Sequence, residues 1–126
     1  MLQKAKMVKK ARKALESLYD GRCTVIERQK YQKVNKSTAF REITVLKNEP
    51  CRLSFKAIGS STPEENAAFA VVQAVTLFIS PDIFIKSGSK IIVTQNNRTT
   101  EYKQSGEPAI YDTHQEIILE LFKGWA

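Results

Sequence analysis

A single histidine, His114, and two cysteines, Cys23 and Cys51, are all that the 126-residue chain offers in the way of imidazole and thiolate metal ligands. Neither cysteine belongs to a C-x-x-C pair, so a structural zinc site cannot be assembled and no metal or cofactor is expected. There is no glycine-rich phosphate loop, because Gly59, Gly88 and Gly106 are isolated turn glycines. A G-x-S-x-G elbow and an H-E-x-x-H helix are also missing. No apolar run reaches the ~18 residues of a membrane helix. The longest, Ala67 to Ser80, is interrupted by Gln73 and Thr76 and closed by Pro81. The N-terminal lysines are not followed by an apolar stretch, so no secretory signal is expected. These absences predict a chain made and kept inside a cell, without membrane contact. In that compartment Cys23 and Cys51 read as buried, small apolar side chains, although a disulfide is geometrically open if their strands pair.

Candidate catalytic groups are as sparse. His114 has Asp112 and Glu116 nearby, which suggests a general base oriented by a carboxylate. The competing reading, a residue at the start of a strand bonding to a neighbouring turn, is preferred because no second reactive group is evident. Glu64 and Glu65 are adjacent and do not face one another in regular structure. Glu116 and Glu120 share a strand face but are separated by Ile118. Both pairs read as solvated surface, no residue is assigned a catalytic role, and the chain is expected not to be an enzyme.

What is present is positive charge and an alternating apolar pattern. The net charge is +7. Lys4, Lys6, Lys9, Lys10, Arg12 and Lys13 face only Glu16 and Asp20 within the first twenty residues, a local balance of +4. The remaining residues carry +3 and read as electrically mixed. Length and composition suit one domain over 1–126: a basic helix in 1–20, then a β body in 21–126.

The helix is predicted from Leu2 to Tyr19, with Val8, Ala11, Leu15 and Leu18 at spacings of three and four and Asp20-Gly21 as its stop. After Gly21 the apolar period falls to two. Strands are expected around Cys23–Arg28, Phe40–Val45 and Cys51–Lys56, with a turn at Asn35-Lys36-Ser37 and a break or bend at Pro50. Ile58 to Asn66 reads as a polar loop. Val71 to Ile79, Ile91 to Gln95, Thr99 to Lys103 and Ile117 to Leu121 complete the strands, and Asn96-Asn97 is a hairpin turn because asparagine tolerates positive φ. Phe55 and Phe78 are expected in the core, and Tyr31, Tyr102 and Tyr111 on the surface. The fold class is mainly β: a small antiparallel β-barrel of about six strands with an N-terminal amphipathic helix.

Three readings of the basic helix stay open. It binds nucleic acid or a membrane surface, it docks onto an acidic protein, or its lysines are solvated while its apolar stripe covers the body. Membrane insertion is disfavoured by a narrow apolar face without Trp or Phe. An OB-like nucleic-acid barrel is the alternative for the whole chain, weakened by aromatics that form no interleaved Arg/Tyr stripe.

The order of motifs is distinctive. A basic helix ends in L-Y-D-G-R-C-T-V (Leu18 to Val25). It is followed by P-C-R-L-S-F (Pro50 to Phe55), by L-F-I-S-P-D-I-F-I-K-S-G-S-K-I-I-V-T-Q (Leu77 to Gln95), and by S-G-E-P-A-I-Y-D-T-H-Q-E-I-I-L (Ser105 to Leu119). This resembles the head-closure, or head–tail connector, proteins of PBSX-like and skin-element prophages of Gram-positive bacteria. The resemblance implies a β-barrel that forms a homo-oligomeric ring on assembly and is monomeric alone. Its partners would be the portal or adaptor and the tail-completion proteins, with at most weak nonspecific DNA contact. It would be made in the bacterial host cytoplasm and end in the phage particle. The resemblance also implies a loop that closes the central channel. The matching segment is Ser60, Ser61, Thr62, Pro63, Glu64, Glu65 and Asn66, whose acidic pair would repel DNA phosphates. Lys4, Lys6, Lys9, Lys10, Arg12 and Lys13 are the candidate partner-docking residues.

Overall fold

The computed structural model describes residues 2–58 and 72–125. Helix α1 spans Leu2–Glu16 and ends three residues before the predicted limit. Its last turn is drawn in by Ser17, whose hydroxyl donates to the Ala14 carbonyl at 2.6 Å. Seven antiparallel strands follow: β1 (Gly21–Gln32), β2 (Thr38–Ile58), β3 (Val72–Ile79), β4 (Lys90–Gln95), β5 (Arg98–Gln104), β6 (Ala109–Ile110) and β7 (Gln115–Leu121). Their order is β3-β2-β1-β4-β5-β7-β6, and β3 also pairs with β7. Six strands therefore close into a ring. The two-residue β6, absent from the sequence reading, pairs with Gln115 and Glu116, a stretch of β7 that β5 does not reach.

Alternation decides what the ring encloses. Cys23, Val25, Leu77, Ile79, Ile91, Val93 and Ile117 are almost wholly buried, and Leu53, Val75, Ile85, Tyr102 and Leu119 complete the core. Full burial of each large aliphatic contributes roughly 1.5–3 kcal/mol. Cys23 and Cys51 lie inside as free thiols. Two predicted core aromatics are displaced. Phe55 is half exposed, and Phe78 falls between the inward-facing Leu77 and Ile79, so it sits on the opposite face, 5.7 Å from the His114 ring. Tyr102, expected on the surface, is buried because it pairs with Ile91 on the inner face.

Side-chain amides hold the closure. Gln115, itself buried, donates to the carbonyls of Ser80 (2.8 Å) and Ile83 (2.5 Å), fixing the crossing that carries Ile85 into the core. The Gln95 amide oxygen accepts from the Leu53 N–H at 2.8 Å. It would also lie 2.9 Å from any Cβ at position 21, with the Cys51 carbonyl at 3.0 Å, so glycine is needed at the start of β1. The Asn96-Asn97 turn has φ of 54° and 62°, the paired left-handed residues expected of it.

Pro50 does not break β2, which runs on to Ile58. β3 joins β2 only from Cys51 onward, so Pro50 has one side free of any ladder to interrupt. The irregularities lie earlier. Lys47 and Asn48 together oppose Thr24, Val45 is an extra residue, and Asn48 takes φ 57°. These two bulges mark where β1 and β2 leave the ring.

Candidate functional site

The predicted docking residues separate into two kinds. Lys4, Lys6, Lys9, Lys10 and Lys13 are exposed along α1. Arg12 is an internal anchor. Its guanidinium donates to Glu16 (3.1 Å), to Asp82 (2.6 Å) and to the Ser80 hydroxyl. The hydrogen bond to Asp82, then that to Glu16, pushes its pKa above the ordinary arginine value. The helix is thus pinned by Arg12, half-buried Leu15 and buried Tyr19. Burial raises the Tyr19 phenol, whose hydroxyl has no hydrogen-bond partner among the described residues. The channel-loop candidates Ser60 to Asn66 lie outside the described residues.

His114 is held by its near neighbours in sequence. Its Nε2 is 2.8 Å from Glu116 Oε2, its Nδ1 is 3.1 Å from the Thr113 hydroxyl, and the ring stacks on Tyr111 at 4.9 Å. Tyr111 N–H also donates to the His114 carbonyl at 2.8 Å, so the backbone closes a local turn beside the imidazole. Glu120 pairs with Lys103 at 3.2 Å. Among the described residues no group of three or more His, Cys, Asp or Glu could hold a metal ion.

The feature that sequence reading missed is a two-stranded ribbon. β1 pairs with β4 only from Arg22 to Ile26, and β2 pairs with β3 only from Cys51. From Glu27 to Gln32, β1 has β2 as its sole partner, in register with Thr38–Ile43. At about 3.4 Å per residue those six residues reach roughly 20 Å. One face carries Arg28, Lys30 and Phe40, and the other carries Gln29, Tyr31 and Arg41. Arg28 lies over the Phe40 ring at 4.1 Å and Arg41 over Tyr31 at 5.1 Å. These cross-strand diagonals bring together a cation–aromatic set that no linear stripe displays.

The tip is tightly closed. Lys36 N–H donates to the Lys33 carbonyl and Lys33 N–H to the Ser37 carbonyl, both at 2.8 Å. The Asn35 side-chain oxygen accepts from the Ser37 N–H and hydroxyl. Lys36 takes φ 69°, a conformation that costs a side-chain-bearing residue about 1–2 kcal/mol. The root is braced by the C-terminal segment. Trp125 Nε1 donates to Glu42 at 3.1 Å, Lys90 lies 3.8 Å from the same carboxylate, and Lys90 also sits over the Phe122 and Trp125 rings.

Charge follows this geometry. Residues 28–41 contain Arg28, Lys30, Lys33, Lys36 and Arg41 and no acid. The body is therefore not mixed: residues 21–58 carry nine basic and three acidic side chains, and residues 59–126 carry five and eight. An acid-free run spanning a predicted turn was the available signal.

No protein-family model matches the chain, and no curated protein matches it either. Among solved structures it is similar to one described as the phage-like element PBSX protein xkdH from Bacillus subtilis, at 14% identity and a TM-score of 0.49. That match covers 79% of this chain and 91% of the other.

Proposed function

We propose that the chain is a non-enzymatic structural component of a phage-type particle, and specifically a head–tail connector subunit that docks beneath the portal or adaptor and closes the capsid. One coincidence carries this reading. The motif order that resembles the head-closure proteins belongs to a chain whose strands close into a six-membered ring with a basic helix held outside it by Arg12. The resemblance implies that architecture, and the ring encloses a packed core, leaving the outer surface for function. Closing the sheet also removes most free strand edges, so assembly would use side-chain surfaces more than strand addition. In this reading Ser60 to Asn66 is the channel-closing segment, and subunits join in a ring only on their template.

The test is reconstitution. DNA-filled capsids bearing portal and adaptor but lacking the connector should take up the chain in stoichiometric rings and cease to leak DNA. Removal of Ser60 to Asn66 should preserve docking and restore the leak. Failure to dock would end the connector reading, and docking with DNA retained after the deletion would end the gate assignment alone. The five exposed lysines of α1 favour a second reading, a small β module that binds nucleic acid through that helix. It predicts steeply salt-dependent DNA binding lost when those lysines are neutralised.

A further inference from the structure

The geometry points to the β1–β2 ribbon as an arm that binds double-stranded DNA by entering its major groove, a role separate from α1 and independent of the particle assignment. Five cations lie between Arg28 and Arg41 without an intervening acid. The acids at the root, Glu27 and Glu42, lie outside this run, and Glu42 is paired with Lys90 of the body.

Placement of the cations selects the occupant. Arg28 and Lys30 lie on one face and Arg41 on the other, with Lys33 and Lys36 at the tip. A flat acidic protein surface would meet one face and leave the other in water. An occupant with anionic walls on both sides engages all five. The major groove of B-DNA, about 12 Å wide and 8.5 Å deep, admits a two-stranded ribbon between two phosphate rows. The arm's reach of roughly 20 Å exceeds that depth. The deep, narrow major groove of duplex RNA does not admit it.

Order within the arm indicates the kind of contact. Stacking over Phe40 and Tyr31 holds Arg28 and Arg41 before any ligand arrives, reducing the entropy lost on binding. The arm's charged groups are all cations, and one polar atom of each tip amide is held within the turn: Gln32 donates to the Lys36 carbonyl, and the Asn35 side-chain oxygen accepts from Ser37. Binding therefore rests on phosphates and is independent of sequence. The turn also places lysine where glycine would be unstrained, which keeps a cation within the turn that closes the arm.

The experiment measures binding of the full chain to a mixed-sequence 30-base-pair DNA duplex by fluorescence anisotropy across a salt series. Combined Lys30→Gln, Lys33→Gln and Lys36→Gly should weaken binding on the order of 100-fold at about 0.1 M salt and lower the log–log salt slope by about 2–3. Neutralising Lys4, Lys6 and Lys9 of α1 removes the same charge and should cost less than about 5-fold, since those residues lie outside the groove contact. Lys36→Gly alone relieves the left-handed strain, so that chain should be at least as stable as the parent yet bind roughly five- to tenfold more weakly. Equal losses from helix and ribbon variants would overturn the proposal, as would unchanged binding by a stable Lys36→Gly chain. Duplex RNA binding as tightly as DNA would also overturn it, and displacement of DNA by polyglutamate at equal charge would point instead to an acidic protein.

Discussion

Up to Ile26, β1 lies between β2 and β4, and its Cys23 and Val25 side chains are sealed in the core. Two residues further on, the same strand carries Arg28 and Lys30 with one neighbour and no interior to face. The comparison teaches that alternation in a strand is a statement about its surroundings. Inside the ring, one face of each strand gains burial, and apolar residues hold that face. In the ribbon neither face is enclosed, and a two-stranded hairpin has little stability of its own. Its order derives from the closed turn at Lys33–Ser37 and from the Trp125–Glu42–Lys90 brace at its root. Ring and ribbon should therefore respond differently to perturbation.

The largest effect is expected in the core. Leu77→Ala removes a wholly buried side chain facing the centre and should lower unfolding free energy by about 2–5 kcal/mol in urea denaturation. A loss under about 1 kcal/mol would mean that the ring is not a close-packed core. Next, Gln115→Leu strands the carbonyls of Ser80 and Ile83 and should cost about 1–3 kcal/mol, with faster proteolysis within residues 80–89. Unchanged proteolysis there would show that the crossing is held by Ile85 alone.

A pH effect of intermediate size belongs to the ring too. The hydrogen bond to Cys51, followed by burial, raises the Cys23 thiol pKa above its ordinary value of 9.0. The folded chain keeps a proton that the unfolded chain releases, so this contribution is present below pH 9 and is lost as pH rises beyond it. The loss should be on the order of 1 kcal/mol between about pH 9 and pH 10 and absent from Cys23→Ala, read from urea midpoints. Both thiols should resist iodoacetamide until the chain unfolds. The smallest effect is expected in the ribbon. Replacing residues 30–40 with Asn-Gly joins the cross-strand partners Gln29 and Arg41 by a two-residue turn and should change stability by less than about 1 kcal/mol. A drop above about 2 kcal/mol would make the arm part of the folding unit and erase the contrast.

Much of the ring was legible beforehand. Period-two runs at Cys51–Leu53 and Ile91–Val93, and turn chemistry at Asn96-Asn97, located strands and connections because burial imposes their pattern locally. Phe55 and Phe78 were misplaced because strand phase alone does not report how far the interior extends or which residue in an unbroken apolar run faces it. The ribbon was missed for a related reason. Its residues obey no burial pattern, and its Arg–aromatic contacts join positions twelve and ten apart in sequence that only the register brings together. Arg12 looked like one of six equivalent cations until Asp82 and Ser80 were found beside it.

Local chemistry alone determined the helix, the change to strand periodicity after Gly21, the hairpin asparagines and the basic character of the N-terminal half, whereas Gly21 opens β1 and does not end the helix. Each depends on near neighbours and on backbone preferences that a linear reading can weigh. The tertiary structure alone decided that six strands close on themselves, that Gln115 and Gln95 hold the closure, and that the outer halves of β1 and β2 stand apart as a charged arm. Those outcomes are set by contacts between residues far apart in the chain, where pairing register and the finite volume of one core determine which side chains are enclosed.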